Sequence, residues 1–374
     1  MQLKNIVTLG VKELYSMKAD PILILLILYI FSFAVYTIAK GVSFEVQNAS
    51  VAVVDDDDSP LSRELMASLL EPQFQPPVKI PASRMEEVLD QGEFVFVVVF
   101  PPDFERDVLA GKKPDIQINI DASAMTLAGN GAVYLQEIFL AQTISFLSPN
   151  TSYESLLPLG FTVRKLFNPN SKSAWFNSMM QVINSVTMLG IILTGAALIR
   201  EREHGTVEHL LVMPVTPAEI MLAKIIANGL VILAATLLSL KLVVSGVLGV
   251  PIRGSILLFS CAAILFLFSV NSLGILLATL THSMAQFALL VLPVVVIMYL
   301  LSGGTTPLES MPQWLQWGMQ GSPSTHFVKL AQNILYRGAG LDAVWHLLLI
   351  LALLGVLFYS VALARFRRTI ITMG

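Results

Sequence analysis

Four groups of residues in this 374-residue chain have types and spacings that invite a chemical reading. Asp55 to Asp58 are consecutive carboxylates, and adjacent carboxylates can gather a hard cation. Residues in succession at a strand end point to opposite sides, however, and no further ligands follow at a metal-loop spacing. A solvated strand-to-helix turn is therefore preferred, and acidic groups ahead of a helix suit its dipole. Asn177, Gln181 and Asn184 recur at i, i+4 and i+7 in an otherwise apolar run. In lipid such a stripe serves either a partner helix or a water-filled path, and both readings stand. Asn271, Ser272 and Gln286 are weaker candidates of the same kind. The segment from Arg200 to Pro217, REREHGTVEHLLVMPVTP, is rich in charge between two apolar blocks. Gly303, Gly304, Pro307, Trp314, Trp317, Pro323, Thr325 and His326 occupy a stretch too apolar to be freely solvated and too irregular to span a bilayer. It suits a partly re-entrant outer gate.

None of these groups makes a catalyst. No Ser/His/Asp or Cys/His set is credible, all five histidines lie outside residues 41–172, and neither a catalytic residue nor a metal site is predicted. The one cysteine, Cys261, rules out an intrachain disulfide. No G-x-x-x-x-G-K-[ST] phosphate loop occurs, so the chain does not bind and hydrolyse ATP by that route.

The elements that must position these residues follow from composition. Apolar residues make up 55% and charged residues 13%, against about 25% charged in an ordinary soluble domain, so something other than water solvates much of the chain. Residues 41–172 carry net charge −9 and the remainder +6. The basic charges neither cluster on one face nor alternate with exposed aromatics, which argues against nucleic acid. A bilayer needs about 20 apolar residues per helix. Pro21 to Ala39, Ala174 to Ile199, Ile225 to Val250 and Ala343 to Ala364 each meet that test. Gly254 to Leu308 is long enough for two spans joined at Thr281-His282-Ser283, making six. The N-terminus lacks a cleavage site after its first apolar block, so that block is expected to remain as an anchor. Lys4, Lys12, Lys18, Arg200, Arg202, Lys224, Arg365, Arg367 and Arg368 all fall on one side, the cytoplasmic side by the positive-inside bias. Both termini are then cytoplasmic and residues 41–172 lie outside. Lys241 reads as a snorkelling interface anchor.

The exterior segment alternates strand and helix signals. Strands are expected at Val51–Val54, Val78–Ile80, Phe94–Phe100 and Asp115–Asp121, and helices from Pro60 to Leu70, Ser83 to Gln91, Pro102 to Ala110 and about Thr126 to Leu147. That order predicts an α/β layer with one small sheet. Residues 2–18 place Leu3, Ile6, Val7, Leu14 and Met17 at helical spacing between lysines, an interfacial amphipathic helix. Gly205 can end the second span, Thr206 can start a short surface helix stopped by Pro214, and Thr216-Pro217-Ala218-Glu219 is a capping box for the next span.

The order of these pieces carries a family resemblance. Lys12-Glu13-Leu14 with Asp20-Pro21, the run Arg202-Glu203-His204-Gly205-Thr206 with Pro214 and Pro217, and Leu301-Ser302-Gly303-Gly304 with Pro307-Leu308-Glu309-Ser310-Met311-Pro312 resemble the permeases of ABC-2-type exporters. Val53-Val54-Asp55, Ser59-Pro60-Leu61-Ser62-Arg63 and Phe100-Pro101-Pro102-Asp103-Phe104-Glu105 resemble the subgroup with a large domain after the first span, the bacterial multidrug-exporter-like inner-membrane permeases. The likeness covers essentially the whole chain.

The resemblance implies a six-helix transmembrane domain of the type V exporter kind, with an inserted α/β periplasmic domain (41–172) between spans one and two. An interfacial helix (1–20) precedes the first span (21–40); residues 173–374 hold spans two to six, a coupling helix at 206–213 and an outer re-entrant loop at 303–340. It implies a separate ATPase subunit that binds ATP and Mg, docking on Glu201, Arg202, Glu203, His204, Gly205, Thr206, Glu208 and His209. It also implies a second permease copy or paralogue, since six helices make half a pathway, and outward movement of a drug, lipid-like or other small amphipathic molecule across a bacterial inner membrane. The acidic exterior domain suits docking of a periplasmic membrane-fusion adaptor. The rival reading is a membrane sensor or scaffold whose exterior domain binds a ligand; the short cytoplasmic segments leave no room for an output domain.

Overall fold

Charge-poor blocks of this length become helices because a backbone surrounded by lipid must bond to itself. The computed structural model describes residues 2–41, 45–121, 125–148, 166–203 and 215–373, with side chains except at 125–128 and 369–373. In chain order its elements are α1 (Leu3–Lys18), α2 (Pro21–Gly41), β1 (Val51–Asp55), α3 (Pro60–Ala67), β2 (Val78–Lys79), α4 (Met85–Asp90), β3 (Phe96–Phe100), α5 (Phe104–Leu109), β4 (Gln117–Ile120), α6 (Met125–Leu147), α7 (Ser173–Glu203), α8 (Pro217–Val247), α9 (Ile256–Thr279), α10 (Met284–Leu301), α11 (Gln313–Gln320), α12 (Pro323–Ala331) and α13 (Leu341–Met373). They form two units: Met1–Gly41 with Ala174–Gly374, and Val42–Ser173.

In the first unit α2, α7, α8, α9, α10 and α13 are each long and apolar enough to cross a membrane. These are the six spans expected from the apolar blocks. Their ends are set by local chemistry. α8 starts at Pro217, two turns before its apolar block, because Thr216 and Glu219 form the capping box: Glu219 N donates to Thr216 Oγ1 (3.3 Å) and Thr216 N to Glu219 Oε2 (2.8 Å). α7 is enclosed by its neighbours, with 78% of its apolar window buried, against 17% for α10. Glycines let it pack that closely. A Cβ on Gly274 of α9 would lie 2.5 Å from the Ile191 carbonyl oxygen of α7, and one on Gly195 would lie 2.2 Å from the Phe287 ring of α10.

Two helices bend together. α2 breaks at Ser32 (φ −119°, ψ −76°), and α8 widens into a π-helical segment at Leu240–Val247. Ser239 Oγ of α8 donates to the Phe31 carbonyl beside the break, so a neighbouring hydroxyl covers a backbone group that lipid could not. α12 is buried along nearly its whole length, with Phe327 stacked on Phe266 of α9 at 4.0 Å.

The second unit is the α/β layer expected from its strand and helix signals. Its sheet has order β2-β1-β3-β4; β1 pairs in parallel with β2 and β3, and β4 runs antiparallel to β3. Val51 and Val53 face Leu61, Leu65, Leu135 and Phe139, while Ala52 and Val54 face Val88. Both faces of β1 are covered, which is why it reads as continuous apolar sequence. The acidic run is occupied by bonds within the chain. Asp55 Oδ2 lies 2.8 Å from Lys79 Nζ and accepts from Ser62 Oγ, Asp57 Oδ2 accepts from Glu105 N (3.0 Å), and Glu105 Oε2 accepts from Leu61 N (2.8 Å). Carboxylates thus cover the open N–H groups at the starts of α3 and α5. Among the described residues no group of three His, Cys, Asp or Glu side chains is placed to hold a metal ion.

Candidate functional site

Two features of the membrane unit combine polar chemistry with a location that can act on another molecule. The first is at the end of the spans that carries α1. Ile6 and Leu9 seat α1 on Ile220 and Ala223 of α8. Gln2 N and Asn5 Nδ2 both donate to Glu219, the residue that also caps α8. One helical turn further, Lys224 is 2% exposed, and its Nζ lies 2.7 Å from Glu13 Oε1 of α1 and 2.9 Å from Glu201 Oε2 of α7. A buried ammonium between two carboxylates joins three helices. Lys12, whose Nζ stands 3.5 Å from Glu201 Oε1, supplies the second positive charge that balances the two carboxylates.

The next two residues of α7 reach the other way. The Arg202 guanidinium donates to the carbonyls of Thr281 and Ala278, at the C-terminal end of α9. Glu203 Oε1 accepts from Met284 N (2.8 Å), the first amide of α10. A cation meets the open carbonyls of one helix and an anion the open amides of the next, each complementing a helix dipole. Of the residues expected to form the ATPase-docking surface, Glu201, Arg202 and Glu203 therefore bond to α1, α8 and the α9–α10 turn. His204, Gly205, Thr206, Glu208 and His209 lie outside the described residues.

The second feature is a cavity of about 250 Å³ between α7 and α10. Gln181, Asn184, Ser185 and Thr187 line it from α7, and Leu292, Val295, Val296 and Tyr299 from α10. The polar stripe divides here: Gln181 and Asn184 face the cavity half-buried, whereas Asn177 is buried and does not line it. Asn271 donates its Nδ2 to the Ile225 carbonyl of α8 (3.0 Å), an interhelical bond. Ser272 Oγ bonds within its own helix to Phe268 O, and Gln286 Oε1 accepts from His282 N at the turn that starts α10. None of these three lines the cavity.

Above α10 the chain turns through Gly303, whose φ of +90° needs glycine. A Cβ on Gly304 would lie 1.9 Å from Met180 of α7, so this loop rests on the outer end of α7. Pro307 caps a short 3-10 turn, and His326 is buried with its Nε2 2.8 Å from the Gln320 carbonyl oxygen. Trp314 is 73% exposed on α11, with Trp317 one turn on at 72%.

Lys224 and Glu13 were not among the expected site residues. Lys224 entered the sequence reading only as one of many basic residues flanking spans. The available signal was its position: an ammonium two turns inside an apolar helix is costly unless paired.

A six-span bundle with a buried charge hub at one face, a mostly apolar cavity between two spans with Gln181 and Asn184 on its wall and an α/β domain inserted after the first span defines a multi-span transport permease. Residues 21–364 match the family of ABC-2 family transporter proteins, and the chain belongs to it. It is 50% identical over its full length to the inner membrane transport permease YhhJ of Escherichia coli K12, covering 99% of that protein. It is 30% identical to the probable multidrug ABC transporter permease YbhR of the same organism, over 97% of this chain and 98% of that one. A third relative, the probable multidrug ABC transporter permease YbhS, is 27% identical over 90% and 89%. The chain is accordingly a multi-pass inner-membrane permease of the ABC type.

Proposed function

We propose that this permease is half of an exporter that moves small amphipathic molecules outward, powered by a separate ATPase subunit that holds ATP and Mg. The α7–α10 cavity carries this reading. An apolar helix pair that keeps Gln181 and Asn184 toward an open space offers a mixed surface for a molecule with apolar and polar parts. Two relatives have the word multidrug in their names, which fits that chemistry. With α10 so little buried in the single chain, a second copy or a paralogue facing α7 and α10 completes the pathway.

The basic residues at the termini and span ends place both termini and residues 204–214 in the cytoplasm and the inserted domain in the periplasm, where an adaptor protein has access to it. The ATPase docks on Glu201 to His209, supported by α1. Its movement passes through the Glu201–Lys224–Glu13 hub and the Arg202 and Glu203 contacts to the bundle. The loop from Gly303 to His326 closes the outer end.

The test is to purify the chain with its ATPase subunit, reconstitute both and measure ATP hydrolysis against a panel of amphipathic drugs and lipids. Stimulation by a subset is expected, falling about tenfold in Gln181→Leu/Asn184→Leu, the loss of one or two good polar contacts. Stimulation unaltered in that variant, or a chain that never retains an ATPase, sinks the proposal.

A further inference from the structure

The exterior sheet ends differently at its two sides. At one edge β2 is two residues long and flanked by Pro76, Pro77 and Pro81, and its Lys79 is held by Asp55 and Asp58. Proline and lysine keep a strand edge from pairing with another chain. At the other edge β4 carries neither, and from Asp115 to Asp121 the chain reads DIQINID. We propose that β4 pairs antiparallel with β4 of a second copy of this chain, joining two exterior domains into one continuous sheet. The inference rests on the reading that two permease chains stand side by side, and adds that they are copies of one another and where they meet outside the membrane.

The bonding pattern of β4 leaves its outer groups open. Asp121 N donates to the Val95 carbonyl (2.9 Å), and along the antiparallel pair Asn119 stands opposite Val97 and Gln117 opposite Val99. In such a ladder every second residue bonds inward, so Gln117, Asn119 and Asp121 face β3 while the N–H and C=O of Ile118 and Ile120 point off the sheet. Among the described residues no backbone group takes these up. The two open residues are symmetric about Asn119. Across a two-fold axis Ile118 falls opposite Ile120 of the second copy, and each outward donor meets an outward acceptor. Charge fixes this register. Sliding the strands to set Ile118 opposite Ile118 puts Asp115 opposite Asp121 at both ends, which like charge disfavours, whereas in the symmetric register Asp121 faces Gln117.

Apolar surface lies beside the same edge. A groove of about 610 Å³ runs between α5, β4 and α6, with Val108, Ile118, Phe139, Leu140, Ile144 and Leu147 on its walls. Leu140 is 51% exposed in the single chain and Leu147 46%. Directly opposed residues share a face of the sheet, so Ile120 of the second copy points to the face that carries this groove and Ile118. Covering these side chains adds an apolar gain to the main-chain bonds. The acidic excess of the domain stays off the junction, because no residue from Ile116 to Ile120 is charged.

Disulfide cross-linking of the full-length protein in native membranes tests this, with the one natural cysteine removed by Cys261→Ser. Asn119 meets its own copy at the two-fold axis in a non-hydrogen-bonded pair, with Cα atoms about 4.5 Å apart, inside the range a disulfide spans. Asn119→Cys should therefore oxidise to a dimer at least about tenfold faster than Gln117→Cys or Ile118→Cys, whose copies lie further along the strand. Ile120→Pro removes an outward N–H without touching the ladder to β3. Adding it should abolish the Asn119→Cys cross-link, while hydrogen exchange at β1 and β3 shows the domain still folded. The proposal is overturned if Asn119→Cys stays uncross-linked, if the three positions cross-link alike, or if a folded Ile120→Pro variant cross-links at the parent's rate. A chain that pairs only with a paralogue overturns it too. Drug-stimulated ATP hydrolysis that persists in any of these cases leaves the exporter reading standing.

Discussion

Lys224 Nζ lies 2.7 Å from Glu13 Oε1, so the interfacial helix that precedes the first span is fastened by a buried ion pair to the third. Only 2% of the lysine side chain is accessible, and Glu201 of the second span takes the same ammonium at 2.9 Å. Breaking such a pair leaves an unanswered charge, at about 3–5 kcal/mol. Lys224→Met should lower the unfolding temperature of the detergent-solubilised protein sharply, and adding Glu13→Gln and Glu201→Gln should recover most of the loss. A Lys224→Met protein as stable as the parent would show that the hub contributes nothing.

Glu203 ends the described part of α7 and holds the first amide of α10, and His204 follows it in the sequence. Replacing both with alanine should leave the permease folded and able to retain its ATPase while substrate-stimulated hydrolysis and efflux fall together. The measurement is hydrolysis and transport in the same proteoliposomes. Unchanged rates in both count against this docking surface.

Close packing of α7 on α9 rests on a hydrogen atom at Gly274. A methyl group there meets backbone, the Ile191 carbonyl oxygen at 2.5 Å, which cannot rotate away. Gly274→Ala should cost about 1–3 kcal/mol through overpacking. Gly318→Ala on exposed α11, where nothing lies within 4 Å, should be neutral or gain about 0.5–1 kcal/mol from helix propensity. Thermal unfolding of the two variants in one detergent gives the comparison.

In the exterior unit Lys79 is bonded to Asp55 and Asp58, each at 2.8 Å. The hydrogen bonds that Lys79 donates to those carboxylates raise the lysine above its usual range, and the bond to Asp58 lowers that carboxylate. The lysine's contribution is whole below its unfolded pKa of about 10.4 and disappears as pH rises through its raised folded value. The Asp58 contribution is whole above about pH 3.9 and disappears as pH falls through its lowered folded value. Amide protection factors at β1 and β2 in the intact protein, the exchange rate of the unfolded chain at the same pH divided by the observed rate, should therefore be highest between these limits. Lys79→Met should shallow both limbs, and an unaltered profile would mean the bonds are too solvated to matter.

Much of this protein could be read along the chain because lipid imposes a one-dimensional rule. A stretch such as Ala174 to Ile199 without charge has to be a helix, and a stretch such as Thr216 to Glu219 has to start one. The inserted unit was legible for the same local reason, since Ser59-Pro60 and the apolar run ending at Phe100 each specify an element through neighbours in sequence. The functional side chains were less so. Asn177, Gln181 and Asn184 share a periodicity, yet only the last two face the α7–α10 cavity, while Asn177 is buried away from it by contacts that the sequence of α7 alone does not specify.

What the sequence determined by itself was the number of spans, the place of the inserted domain, the side on which charge accumulates and the absence of a phosphate loop, all consequences of residue type and local spacing. What only the tertiary structure decided was which charges meet. Glu13, Glu201 and Lys224 come from three separate helices, and a burial cost that none could bear alone is offset only when all three converge. Partners separated by 23 to 211 residues leave no local pattern, since their pairing depends on how helices pack and not on how any one of them is written.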